Sequence, residues 1–397
     1  MGVPPRYGVD RDQFAAILEG EPSYRVRQVW HGLYGRMVAP EEMTDLPADL
    51  RGRLSAALPP SLTEASRREA DGGETVKWLW QLHDGAQIET VLMRYPDRVT
   101  VCISTQAGCA MACQFCATGQ SGFARHLSVG EIVEQVVMAI REARPRRLSN
   151  VVFMGMGEPL ANYDRVWTAV ERLQGDVGIS ARHLTISTVG IVPGIRRLTR
   201  EPLPVNLAVS LHAANDTLRD ELVPINRRYP LAQLSAACAD YVASTRRRLS
   251  IEWALIHGIN DRGSDAEELA GFARPLAAHV NLIALNPTPG YAVRGTPPAR
   301  VREFRRHLEE LGVNATIRAT RGVEIDAACG QLAASAARPV HGTAAGGGAP
   351  AGAAGNGADG NGGAGNGGAG ARSRAGAAHR GAERVEISRI APPVHRG

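Results

Sequence analysis

Lysine is all but missing from this chain: of 45 basic side chains, only Lys77 is not arginine. Arginine suits phosphate recognition, yet so complete a replacement, beside abundant alanine and glycine, reads as codon bias. Long apolar runs are missing too. None approaches the roughly 20 residues of a membrane span, and the amino terminus, MGVPPRYGVDRDQF, lacks the apolar region of a signal peptide. The expectation is a cytoplasmic protein with no membrane partner. Cysteine is scarce, with six in 397 residues, which excludes a disulfide framework; four of the six crowd between 102 and 116, as in a cluster or redox site of a reducing compartment. Acidic residues are few after position 335, where seven arginines face only Asp359, Glu383 and Glu386. That segment carries most of the net charge of +5, so the global figure says little about the partners of the folded part. Local groups such as Arg67-Arg68, Arg144 with Arg146-Arg147, and Arg246 to Arg248 must carry any nucleic-acid argument.

What is present centres on CISTQAGCAMACQFCATG, residues 102–119. Cys109, Cys113 and Cys116 form a C-x3-C-x2-C array, with Cys102 seven residues upstream. Thiolates are the soft ligands of iron-sulfur clusters, and three of them leave one iron of a four-iron cluster open to a substrate. The rival is structural zinc. Such sites usually have four ligands, and no histidine or fourth cysteine follows at finger spacing.

Residues 10–60 read as a small helical unit, with Phe14, Ile17 and Leu18, then Val26, Val29, Trp30, Leu33 and Tyr34 at helical spacing. A hairpin follows: TVKWLWQL, a turn at His83-Asp84-Gly85, and AQIETVLMRY. Glu89 lies on the return strand, where an isolated glutamate would ordinarily face solvent. From Val99 onward, short runs (VTVCIST, NVVFMG, HLTIST, VNLAVSL, LSIEWALI, VNLIAL, VNATIR) alternate with helical stretches at 128–143, 162–174, 231–245, 264–277 and 299–311. That alternation predicts an α/β fold with a parallel sheet, open or curled into a barrel. Polar or glycine-bearing motifs fall where strands run out: GMGEP, STVG, SLHAAND and Asn286-Pro287. Ligands bind at the carboxyl ends of such strands, so these pieces should meet the cysteine loop on one face. The expected organisation is a helical accessory domain over 1–70, a connecting hairpin over 71–98, a core over 99–334, and a disordered Gly/Ala-rich tail over 335–397. Cys238, at helical spacing in LAQLSAACADYV, reads as core.

The C-x3-C-x2-C array, followed by a GGE-like motif at Gly155 to Glu158, resembles the radical S-adenosylmethionine superfamily. GCAMACQFCATGQSGFARHL, VFMGMGEPLANY, LTISTVGIVPGI, LAVSLHAAND, LVPINRRYP, LNPTPG and ACGQL narrow the resemblance to the RlmN and Cfr group of RNA adenine methyltransferases, over residues 10–332. The resemblance implies a partial (βα)6-type barrel with a small N-terminal helical domain. It implies a [4Fe-4S] cluster on Cys109, Cys113 and Cys116, with S-adenosylmethionine as methyl donor and radical source, contacted by Gly157, Glu158, Ser187, Ser210, Leu211, His212 and Asn286.

The RlmN type methylates carbon 2 of an adenosine in 23S ribosomal RNA and in a tRNA anticodon loop; the Cfr type methylates carbon 8. Carbon 2 is electron-poor and cannot attack a methyl cation donor, which calls for a radical route. By resemblance, Cys329 of ACGQL carries a methyl group that becomes a methylene radical and adds to the adenine. Cys102 resolves the protein-RNA adduct through a disulfide with Cys329, and Glu89 accepts the ring proton. The implied partners are 23S rRNA, tRNA and an electron donor such as flavodoxin or ferredoxin, with the protein a monomer. The rival readings are Cfr-type carbon 8 chemistry and a non-enzymatic iron-sulfur protein that binds RNA.

Overall fold

A computed structural model describes residues 5–288, 290–318, 321–328 and 330–332. Cys329 and the segment 335–397 expected to be a disordered tail lie outside the described residues. In chain order the strands are β1 (Thr63–Ala70), β2 (Thr75–Gln81), β3 (Gln87–Arg94), β4 (Val99–Cys102), β5 (Gln106–Gly108), β6 (Phe123–His126), β7 (Asn150–Phe153), β8 (Leu184–Thr188), β9 (Asn206–Ser210), β10 (Leu249–Leu255), β11 (His279–Ala284) and β12 (Ala315–Ile317). Ten form one sheet in the order β1-β2-β3-β4-β7-β8-β9-β10-β11-β12, while β5 and β6 pair separately.

Strands β4 and β7 to β12 all run parallel. They are short, and all but the edge strand β12, where Thr316 and Ile317 are exposed, are mostly buried, as expected of strands covered on both faces. All seven coincide with runs read from the sequence. The connecting helices include Val129–Ala143, Tyr163–Gly175, Leu231–Thr245, Gly263–Ala273 and Pro298–Glu310, close to the expected spans. Sequence spacing did not reveal a seven-residue helix at Val192–Leu198, which completes the crossover between β8 and β9. Six βα crossovers thus make the partial barrel, and the seven parallel strands carry their carboxyl ends to one side.

Antiparallel β1, β2 and β3 extend this sheet beyond β4. Strand β1, TEASRREA, falls within the segment expected to be helical. Only Ala70 of it is buried, so an exposed edge strand left no apolar alternation to read. The helices Arg11–Ile17, Tyr24–His31 and Ala48–Ala57 share one apolar cluster with the sheet and its helices. Two polar ties join them to the helix Tyr163–Gly175: Arg172 donates to the Tyr34 hydroxyl at 2.9 Å and to the Tyr7 carbonyl at 2.8 Å. Among the described residues no helix is long and apolar enough to cross a membrane.

The helix Val129–Ala143 explains how β3 and β4 are held in register. Ser128 and Glu131 form a capping box at its start. One turn on, the fully buried Gln135 accepts from Thr90 Oγ1 and from the Ser104 amide, both at 2.8 Å, and donates to the Ser104 carbonyl at 3.0 Å. Gln135→Leu keeps the volume but strands these buried groups. It is expected to lower stability by about 1–3 kcal/mol, read as a reduced urea midpoint at unchanged m value.

Candidate active site

The three clustered cysteines sit on a loop that local geometry holds tightly. Cys109 follows Gly108, whose φ of +75° is open to glycine, and its amide donates to the Gly122 carbonyl at 2.7 Å. A short helix, Ala117–Gln120, begins directly after Cys116. All three cysteines line one cleft together with Gly157, Glu158, Ser187, Ser210 and His212. The loop therefore meets the carboxyl ends of β7, β8 and β9, as the parallel topology predicts.

Of the residues expected to contact S-adenosylmethionine, five line this cleft. Leu211 does not: it is fully buried, with its carbonyl accepting from Arg219 Nε at 3.2 Å. Asn286 lines an adjoining cavity instead. Glu158 is buried, and its carboxylate accepts from the Leu160 and Val189 amides at 3.0 and 2.9 Å. Burial outweighs those bonds and pushes its pKa up to about 7. His212 accepts from the Ala254 amide at Nδ1, 3.0 Å away. That fixes the proton on Nε2, while burial, with Arg219 nearby, lowers its pKa to about 3, so the ring is a neutral donor. Ser187 and Ser210 place their hydroxyls 3.4 Å apart on adjacent strands.

Burial pushes the Cys109 thiol up to about 12 and the Cys113 thiol well above its usual range, with neighbouring thiolates adding to the effect. Three thiolates cannot share this pocket alone; a cationic iron core would offset them. Among the described residues no three His, Cys, Asp or Glu side chains are grouped as ligands of a single ion. A soft three-thiol set around one cleft fits a four-iron cluster with one open iron.

The adjoining cavity is lined by Cys102, Val91, Tyr95, Asn286, Arg318 and Arg321, and by Ala328 and Gly330, the two neighbours of Cys329. The two cavities share Cys116, Thr118, Met154, Gly155, Ile283 and Gly330. The Gly330 carbonyl accepts from the Ala117 amide at 2.8 Å, and the Leu332 carbonyl from Thr118 Oγ1 at 2.5 Å. The C-terminal segment is thereby stitched to the cysteine loop. Glu89 lies two residues before Val91 on β3, hence on the same face. Unlike a decorative strand glutamate it is buried, and it pairs with Lys77 at 3.0 Å.

Sequence reasoning did not single out Tyr95, Arg98, Arg318 or Arg321. Tyr95 carries the Arg98 guanidinium 4.2 Å and the Arg321 guanidinium 4.4 Å from its ring centre. Their signal is spatial, since 95–98 and 318–321 are far apart in the chain. Other arginines are paired with carboxylates. Arg67 pairs with Glu142 at 2.8 Å, and Arg305 with Glu309 at 3.2 Å.

Parallel strands with three thiols at their carboxyl ends define a radical S-adenosylmethionine enzyme, and the family described as the radical SAM superfamily matches residues 103–273. The superfamily implies a four-iron cluster and S-adenosylmethionine. The chain is 52% identical over 350 residues to a "Probable dual-specificity RNA methyltransferase RlmN" of Salinispora tropica, covering 84% of this chain and 94% of that one. It is 53% identical over 349 residues to a protein of the same description from Mycolicibacterium vanbaalenii, covering 84% and 95%. The crystal structure of a radical SAM methyltransferase from Sphaerobacter thermophilus superposes with a TM-score of 0.80 at 49% identity, over 83% of this chain and 99% of that chain. This chain belongs to the RlmN family of radical SAM RNA methyltransferases.

Gly155 borders both cavities, and a Cβ there would lie 2.7 Å from the Ile103 carbonyl carbon and 2.9 Å from the Ser104 amide nitrogen. Gly155→Ala must displace backbone at that wall. It is expected to weaken S-adenosylmethionine binding by about tenfold or more, a loss of ~1.4 kcal/mol, measured by equilibrium dialysis on the reconstituted protein.

Proposed function

We propose that this protein methylates carbon 2 of an adenosine in 23S ribosomal RNA, and of a tRNA anticodon-loop adenosine, through a methylated Cys329 and a covalent protein-RNA adduct. The observation that carries the two-cysteine route is the placement of Cys102 in one cavity with Ala328 and Gly330, against a wall shared with the cleft of Cys109, Cys113 and Cys116; the choice of carbon 2 rests on the likeness to RlmN-type relatives. Those three thiols would hold the cluster, which when bound supplies the electron that splits S-adenosylmethionine to a 5'-deoxyadenosyl radical. Gly157, Glu158, Ser187, Ser210 and His212 orient the cofactor in that cleft, and Asn286 reaches it from the cavity side.

Cys329 takes a methyl group from a first S-adenosylmethionine by displacement: a sulfur-carbon bond forms as the sulfonium-carbon bond breaks. Hydrogen abstraction from this S-methyl gives a methylene radical that bonds to the adenine. The adduct radical passes one electron to an acceptor, for which the oxidised cluster would serve, and Glu89 takes the ring proton while the carbon-hydrogen pair stays on the ring. The Cys102 thiolate then attacks the Cys329 sulfur. A sulfur-sulfur bond forms, the sulfur-carbon pair passes to the methylene carbon, and protonation there completes the methyl group. Tyr95, Arg318 and Arg321 at this cavity, with Arg98 against the Tyr95 ring, supply cationic and stacking surface suited to a flipped nucleotide and its phosphates.

Cys102→Ala removes the resolving thiol alone. It is expected to accumulate a protein-RNA crosslink, visible on denaturing gels, with little free methylated RNA. Free methylated RNA at the normal yield would refute the resolving role.

A further inference from the structure

The sole lysine is not a surface remnant of an arginine-rich composition. Lys77 is 8% exposed and Glu89 4%. Its Nζ lies 3.0 Å from Glu89 Oε1 and also donates to the Asp326 carbonyl at 3.1 Å. Strand register explains the meeting. Lys77 on β2 faces Val91 on β3, and Val91 faces Cys102 on β4. Directly paired residues share a face of the sheet, so Lys77, Val91 and Cys102 form one row, with Glu89 a diagonal neighbour of Lys77.

The carbonyl at the other end of this ammonium belongs to a tightly built turn. Asp326 has φ +54°, and the Ala327 amide donates to the Gly322 carbonyl at 2.9 Å. Gly322 in turn donates to Asp71 Oδ2 at 3.2 Å, which also accepts from Thr75 Oγ1 on β2 at 2.6 Å. Two residues beyond Asp326, Ala328 lines the cavity that holds Cys102.

We propose that Lys77 is a positioning residue for the methyl transfer, clamping the Glu89 carboxylate and the Asp326–Ala328 segment with one ammonium so that base and cysteine segment keep a fixed relation. This rests on the reading of Glu89 as the proton acceptor. The step it serves is the one in which the carbon 2 proton bonds to a Glu89 oxygen while the electron pair stays on the ring. A buried carboxylate stays charged, and so able to accept a proton, when a cation faces it. A compact ammonium with three donors can fork between a carboxylate and a carbonyl; a planar guanidinium is longer and differently aimed. That difference accounts for a single lysine in a chain that otherwise uses arginine. The clamp acts after the adduct forms and leaves cofactor cleavage alone.

The test uses the reconstituted enzyme with S-adenosylmethionine, a chemical reductant and an anticodon stem-loop transcript, comparing Lys77→Met, Lys77→Arg and Glu89→Gln. For Lys77→Met, 5'-deoxyadenosine formation and methylation of Cys329, followed by peptide mass, are expected within about twofold of wild type. Free methylated RNA is expected to fall about 100-fold while crosslinked protein accumulates, as in Glu89→Gln. Lys77→Arg is expected to lose about tenfold with the crosslink retained, and carries the test if Lys77→Met does not fold. Product at the wild-type rate from the variant tested overturns the proposal. So does loss of 5'-deoxyadenosine, crosslink and product in parallel, the pattern of a group that only supports the fold. Glu89→Gln forming product at the normal rate overturns the reading of Glu89 itself; a crosslink in Glu89→Gln beside normal turnover in Lys77→Met overturns the role of Lys77 alone.

Discussion

Backbone pairing across β3, β4 and β7 is the constraint on which the reaction centre depends. Cys102, the last residue of β4, faces Val91 on one side and Val152 on the other. The first pairing brings the strand of Glu89 alongside, and the second brings the strand that runs on to Gly155, Gly157 and Glu158. A one-residue slip would turn every side chain of the slipped strand to the opposite face. Gln135 guards against that slip from the helix side, by bonding Thr90 on β3 and both backbone groups of Ser104 after β4.

From this frame follow two cavities with a common wall. In the proposed chemistry one holds the cofactor and the cluster ligands, and the other admits the nucleotide. Cys116, Thr118 and Gly155 border both, so the two chambers adjoin directly. The C-terminal segment is tied to this wall twice, by Ala117 and Thr118, and by Lys77 further upstream. Buried charge is spent sparingly here: His212 is held neutral, and Lys77 and Glu89 face each other across neighbouring strands.

The parallel core was legible because its strands are continuous β-branched runs separated by amphipathic helices, and the cleft because three thiols and the strand-end motifs lie in local sequence. Strand β1 was not legible, since TEASRREA is an exposed edge and has nothing apolar to alternate. Nor was the meeting of Tyr95 with Arg321, which are far apart in the chain. Of the arginine groups read from the sequence, Arg67 is paired with a carboxylate, Glu142. Glu89 looks ordinary in a list of strand residues and stands out in the sequence only by resemblance; its burial and its pairing with Lys77 needed the fold. The lone lysine was visible from the start; its place beside Glu89 needed the register.

Membership in the RlmN family settles radical methylation of RNA, whereas the atom that receives the methyl group is the central claim of the proposed mechanism. It is tested most directly by digesting ribosomal RNA and tRNA from a strain lacking this protein, before and after its restoration, and quantifying methyladenosines by mass spectrometry. Loss and recovery of 2-methyladenosine in both RNAs is the predicted result; loss of 8-methyladenosine with 2-methyladenosine intact would contradict the account.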